Sequence, residues 1–112
     1  MSTLRNRVQL IGCLRENPKI LTSAKSRKLA RICLVTTETH NNSDGKQVTE
    51  TQWHTLIAWG KLADLTENYL FEGREIAVEG KLTNRSYTDK QGNKRYQSEV
   101  VVSEIILLRI TS

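Results

Sequence analysis

A chain of 112 residues is long enough for one hydrophobic core and too short for two. With 38% apolar and 26% charged residues it is too apolar to be disordered. Its longest aliphatic run, Ile105-Ile106-Leu107-Leu108, is far too short to span a bilayer. The formal charge of +5 favours an anionic partner.

The charge is also segregated. Residues 1–37 carry Arg5, Arg7, Arg15, Lys19, Lys25, Arg27, Lys28 and Arg31 against Glu16 alone. Residues 38–80 are mainly acidic, and the chain turns basic again through Lys81, Arg85, Lys90, Lys94 and Arg95. This predicts one basic face with an acidic one elsewhere. No apolar run follows Arg5 and Arg7, so no secretory or transit segment is expected. Cys13 and Cys33 stand outside any C-x-x-C arrangement, which fits buried thiols in a reducing cytosol.

In chain order, Leu4 to Leu14 alternates: Leu4, Val8, Leu10 and Leu14 face inward, and Arg5, Arg7 and Gln9 outward. Glu16-Asn17-Pro18 is a turn, Ile20-Leu21 a short extension, and residues 22–28 a polar loop. Leu29 to Thr39 is a second strand, with Ala30, Ile32 and Leu34 opposing Arg31, Cys33 and Val35. Asp44-Gly45 then predicts a hairpin, so the strand from 47 to 59 runs antiparallel to the second. On it Thr51, Trp53, Thr55, Ile57 and Trp59 point one way, and Gln52, His54, Leu56 and Ala58 the other.

Lys61 to Glu72 is the one helix, with a stripe of Leu62, Leu65, Tyr69 and Leu70 for packing and Gly73 placed for a left-handed cap. Arg74 to Tyr87 is a strand on which Ile76, Val78, Gly80 and Leu82 oppose Ala77, Glu79, Lys81, Arg85 and Tyr87. A turn over Thr88–Asn93 leads to a partner strand, Lys94 to Val102, and Ser103 to Ile110 adds a more hydrophobic last strand. One domain over 1–112 is expected, with its core in 4–102 and an extension strand at 103–110. Five strands with one helix between the third and fourth is the order of an OB-fold, an all-β five-stranded Greek-key barrel.

Catalysis is not expected. A nucleophile needs a base and an orienting group, yet the only histidines are His40 and His54, and no metalloprotease, Walker, nucleophile-elbow or dinucleotide motif occurs. Cys13, Cys33, His40 and His54 have no near partner at zinc-ligand spacing, so neither metal nor cofactor is implied. The aromatic residues say more. Only 5% of the chain is aromatic, but the rings sit near cations: Trp59 by Lys61, Tyr87 by Arg85, Tyr96 by Arg95. Every nucleobase has a π-face, so rings give affinity without sequence preference, and neighbouring cations neutralise phosphates. Trp53 and Trp59 on one strand face, with Arg85 and Tyr87 outward on another, favour a stacking platform over core rings. The Asn41–Gln47 and Thr88–Asn93 hairpins would flank it as arms.

Several motifs together resemble the bacterial single-stranded DNA-binding protein family. They are Asn6-x-Val8, Leu10-Ile11-Gly12, Pro18, Thr51-x-Trp53-His54, Trp59-Gly60-Lys61-Leu62-Ala63, Tyr69-Leu70, Gly73, Val78-Glu79-Gly80-x-Leu82, Tyr87-Thr88-Asp89 and Tyr96-x-Ser98-Glu99-Val100-Val101-Val102. The resemblance implies a homotetrameric OB-fold that binds single-stranded DNA in replication, recombination and repair, in the bacterial cytoplasm at the nucleoid. Carried over by position, the stacking rings are Trp53, Trp59 (usually Phe), Tyr87 (usually Trp) and, in place of a tryptophan, His40. Arg7, Lys61 and Arg85 match basic positions, whereas Thr83 and Ser86 stand where the family often has cations. His54 falls near the family's subunit contact. With the outward strand cations, the expected phosphate contacts are Arg5, Arg7, Lys61, Arg85 and Lys94. The family usually continues into a long linker with an acidic tip, and the sequence stops at Ile110-Thr111-Ser112. A short form without tail-dependent partners is therefore expected.

Two rival readings stay open. A primosomal-type OB scaffold would work through protein contacts; it is typically dimeric and poorer in stacking rings, so a sedimentation mass separates it from a tetramer. An RNA-binding barrel would be separated by competition between matched DNA and RNA strands.

Overall fold

The computed structural model describes residues 5–23 and 25–110. Its elements are β1 (Val8–Leu14), β2 (Lys19–Thr22), β3 (Lys28–Asn41), β4 (Gln47–Trp59), α1 (Lys61–Tyr69), β5 (Arg74–Thr88) and β6 (Lys94–Ile110). Leu4, read as the first inward residue of β1, lies outside the described residues. The sheet order is β1-β5-β6-β4-β3-β2, and β1 also pairs with β3 through Cys13–Val35 and Leu14–Leu34. That pairing closes β1, β5, β6, β4 and β3 into the expected five-stranded barrel. The helix follows the fourth strand rather than the third, because Lys19–Thr22 pairs residue for residue with Lys28–Arg31, from Lys19 opposite Arg31 to Thr22 opposite Lys28, and is a strand of its own.

The period-2 reading of the strands holds in the core. Ala30, Ile32 and Leu34 of β3 and Leu56 and Ala58 of β4 are fully buried, joined by Ile76, Val78, Val100, Val102 and Leu14. Each large aliphatic side chain buried there stabilises the fold by about 1.5–3 kcal/mol. Helix α1 closes one end of the barrel through buried Ala63 and Thr66, with Leu62 and Leu65 against the core. Tyr69, expected to pack there, is 57% exposed. The helix stops at Tyr69, not Glu72, because Leu70 turns to an extended conformation that puts its side chain into the core. Gly73, at φ 89°, therefore serves the next turn instead of capping the helix; in that turn the Arg74 N–H donates to the Phe71 carbonyl, 3.0 Å away.

The expected extension at 103–110 is the second half of β6. Glu79 faces Glu104 but Gly80 faces Val102, so Ser103 is one residue too many, a β-bulge. It shifts the alternation from inward Val100 and Val102 to Ile105 and Leu107, which pack against the core. A break in period 2 reads as a strand end, which is why the sequence suggests two strands. The Ser103 hydroxyl donates to the Glu79 carbonyl at 3.1 Å, so the bulge is locally satisfied.

The two hairpin turns are built alike. Asn42 Oδ1 accepts from the N–H groups of Asp44 and Lys46, and Asp89 Oδ1 from those of Gln91 and Asn93. Gly45 and Gly92, at φ 77° and 82°, supply the left-handed residue each turn requires. Arg95 Nε also donates to Asp89 Oδ2 at 3.0 Å and, with the turn N–H groups, holds that carboxyl below its ordinary value.

Candidate nucleic-acid interface

Register between β3 and β4 is unbroken from Leu29–Trp59 to Asn41–Gln47, and between β5 and β6 it continues out to Thr88–Lys94. The outer parts of both ladders carry mostly exposed residues, so they extend past the core as two arms. Between the arms the outward faces of β3, β4 and β6 form a groove.

Trp53 and Trp59 both stand on that outward face. Trp53 is 59% exposed and Trp59 is half-buried, so neither ring is sealed in the core. Six residues of extended strand set them roughly 20 Å apart. Each ring carries an arginine: the Arg15 guanidinium lies 3.7 Å from the Trp53 centroid, and that of Arg27 lies 4.6 Å from the Trp59 centroid. Backbone geometry places them there. Arg15 N–H donates to the Cys33 carbonyl, beside the Val35–Trp53 pair, and Gly60 N–H to the Lys28 carbonyl, next to Arg27.

Two hollows run along the groove between the rings. One of about 230 Å³ is lined by Glu16, Lys19, Arg31, Cys33, Thr55 and Gln97. The next, of about 370 Å³, is lined by Leu21, Leu29, Arg31, Ile57, Trp59, Arg85, Glu99 and Val101. Arg31 borders both. Under the second hollow the Glu99 carboxylate, 5% exposed, takes one guanidinium from each side: Arg31 Nη2 and Arg85 Nη2 both lie 3.4 Å from its Oε2. Tyr87, 48% exposed, continues the Arg85 face along β5.

The other expected residues are distributed differently. Arg7 is ion-paired with Glu79, which Gln9 also contacts at 3.0 Å, on the outer face of β1 and β5. Hydrogen bonding to Arg7, and secondarily to Gln9, holds the Glu79 carboxyl below its ordinary value. Arg5 is exposed before β1, and Lys61 is exposed at the start of α1 just past Trp59. Lys94 lies over the Tyr96 ring, 5.7 Å from its centroid, on the face of its arm opposite Tyr87. His40 is likewise on the far face of its arm, 3.9 Å from Glu50. His54 is half-buried with its Nε2 2.9 Å from Thr36 Oγ1. The groove thus joins Trp53, Trp59, Arg85 and Tyr87. It does not gather Arg7, Lys94 or His40.

Sequence reasoning missed Arg15, Arg27, Arg31 and Glu99 as groove residues. Arg31 had a usable signal, since it alternates with buried Ala30 and Ile32 and so points outward. Arg15 and Arg27 had none, because what brings them to the rings is the barrel closure and the return of the chain past β2.

A third hollow, about 480 Å³, lies on the outer face of β1, β5 and β6. Gln9, Ile11, Ala77, Glu79, Glu104 and Ile106 line it, and Ile11 and Ile106 are 63% and 52% exposed. Among the described residues no group of three or more His, Cys, Asp or Glu is placed to hold a metal ion, and no helix is long and apolar enough to cross a membrane.

A closed five-stranded barrel with a single helix at one end defines an OB-type protein. The family is shown directly by comparison: residues 5–108 match the single-strand binding protein family, and the chain belongs to it. It is 38% identical over 104 residues to single-stranded DNA-binding protein 1 of Chlorobaculum tepidum, which covers 92% of this chain and 64% of the relative. It is 36% identical to the protein of the same name from Xylella fastidiosa, over 92% of this chain and 76% of that one. Among solved structures it is similar to the Plasmodium falciparum SSB in complex with ssDNA, with a TM-score of 0.85, 25% identity and 97% and 99% of the two chains covered. A deletion mutant of the Thermus aquaticus single-stranded DNA-binding protein gives 0.82 and 25%, over 93% of this chain and 50% of that one.

Proposed function

We propose that this protein binds single-stranded DNA, largely without regard to sequence, and covers strands exposed during replication, recombination and repair in the cytoplasm. It acts by binding and not by catalysis. The observation that carries this reading is the pair Trp53 and Trp59 on one face of β4, the first exposed and the second half-buried, with cations around them. Bases stack on these rings and on Tyr87, while Arg15, Arg27, Arg31 and Arg85 neutralise the phosphates between them. Arg5 and Lys61 extend the charge at the groove's ends. His40 and Lys94 reach a strand only where it wraps across the outer faces of the arms.

The titration that tests this reading measures oligo-dT affinity at several salt concentrations. Each phosphate contact on a single strand contributes about −0.7 to the slope of log K against log salt. Four groove arginines predict a slope near −3, and a slope of zero would contradict phosphate binding.

We further propose that the chain assembles as a homotetramer. Ile11 and Ile106 leave an apolar hollow open on one outer face, of the kind that marks a protein contact. His54 is proposed to lie close to a second contact between copies. Sedimentation of the wild type is expected to give four chains, and Ile106→Glu a smaller assembly that still binds DNA.

A further inference from the structure

We propose that Glu99 is a positioning residue for strand binding, whose carboxylate gathers Arg31 and Arg85 into a preformed phosphate clamp beside Trp59. The inference rests on the single-strand reading above and adds a residue that works through two others. The charge of the groove floor is odd. A groove that neutralises a polyanion gains no attraction from a carboxylate, yet Glu99 lies there, 5% exposed and lining the hollow. What it supplies is the place of its two partners.

Neither arginine is brought to that spot by its own strand. Arg31 stands opposite Ile57 of β4, and Ile57 opposite Val101 of β6, two residues beyond Glu99. Its side chain therefore leans across β4 to reach the carboxylate. Arg85 stands opposite Gln97, two residues before Glu99 on the same face, and leans in from β5. The two meet at one atom. Arg31 Nη2 and Arg85 Nη2 each lie 3.4 Å from Glu99 Oε2, so the nitrogens stand no further apart than twice that distance.

Two like charges that close repel. Both side chains are long, and they are 39% and 58% exposed, so without the carboxylate they spread into solvent. With it they stay, because a carboxylate almost withdrawn from water requires its cations in turn. Being held leaves them able to bind. A guanidinium has five N–H groups, and a nearest approach of 3.4 Å is too long for a bidentate fork, so each keeps N–H groups for phosphate oxygens. Arg31 also borders the neighbouring hollow, which sets the clamp where a strand passes from one hollow to the next. The cost of ordering two long side chains is then met in folding instead of on binding.

The experiment measures oligo-dT affinity and thermal melting for the wild type, Glu99→Gln, the pair Arg31→Gln with Arg85→Gln, and all three changes together. Glu99→Gln makes the groove one charge more positive, so attraction between charges alone predicts tighter binding. The clamp predicts binding about tenfold weaker. Once both arginines are gone, Glu99→Gln is expected to cause no further loss, because it acts only through them. A carboxylate that merely supported the fold would weaken binding in both backgrounds. The pair Arg31→Lys with Arg85→Lys keeps the charge and Glu99 but loses the planar fork that serves carboxylate and phosphate together, and is expected to bind as weakly as Glu99→Gln. It changes only solvent-exposed side chains, so it decides the matter even if Glu99→Gln folds poorly. Unchanged or tighter binding by folded Glu99→Gln, an equal loss in both backgrounds, or wild-type affinity in the lysine pair would overturn the clamp while leaving single-strand binding intact. Failure of the wild type to bind any strand would overturn both.

Discussion

Replacing Trp53 by alanine is expected to weaken binding to an oligo-dT strand by about 5- to 150-fold while barely lowering thermal stability. The loss follows from stacking, worth about 1–3 kcal/mol per base when a platform ring is truncated, with each 1.4 kcal/mol a factor of ten. Stability is spared because the indole is 59% exposed and rests on Arg15 rather than in the core. Loss of that cation–π contact at an exposed site costs about 0.5–1 kcal/mol. The internal control is on the same strand. Leu56 is fully buried, so Leu56→Ala is expected to cost about 2–5 kcal/mol of stability. Titration and thermal melting of the two variants should therefore give opposite patterns. A Trp53→Ala protein that melts as early as Leu56→Ala would mean that the ring supports the fold.

A second large effect on folding is expected at Gly12. A Cβ added there would overlap the Val35 carbonyl oxygen and come within 3.1 Å of Thr36 Cγ2. The obstacle is backbone, so no side chain can swing aside, and β1 must move away from β3. Overpacking of this kind costs about 1–3 kcal/mol, and the upper end or beyond is expected for Gly12→Ala. The site should suffer as well. Val35 pairs with Trp53, Thr36 meets His54, and the Arg15 N–H is held by the Cys33 carbonyl close by. Denaturant unfolding followed by tryptophan emission checks both effects, since the shift should alter the Trp53 environment even in the folded variant.

That closure between β1 and β3 also marks where the sequence stops being legible. Alternation along β3, β4 and β5 gave the inward and outward faces, including the placing of Trp53 and Trp59 outside, because burial on one face leaves a period of two in the residues themselves. Asp44-Gly45 gave the first hairpin, because few residues accept a positive φ. The joining of strands distant in sequence leaves no such trace. Arg15 and Arg27 look like ordinary cations beside a turn and a loop, yet closure and chain return set them on the two indoles. Glu99 looks like a solvated charge on the outer face of β6, but Arg31 and Arg85, 68 and 14 residues away along the chain, converge on it and cover it. Local pattern likewise misread Ser103, where a bulge within one strand mimics a strand boundary, and Gly73, whose positive φ belongs to a turn beyond the helix.

Base stacking on the two indoles is tested most directly by the tryptophan emission of the wild-type protein during titration with single-stranded oligo-dT, beside its duplex with oligo-dA. If bases lie against Trp53 and Trp59, the single strand quenches the emission strongly, added salt restores it, and the duplex leaves it nearly unchanged. If the strand binds and the emission does not fall, or the duplex quenches equally, the groove between the arms is not where unpaired bases stack.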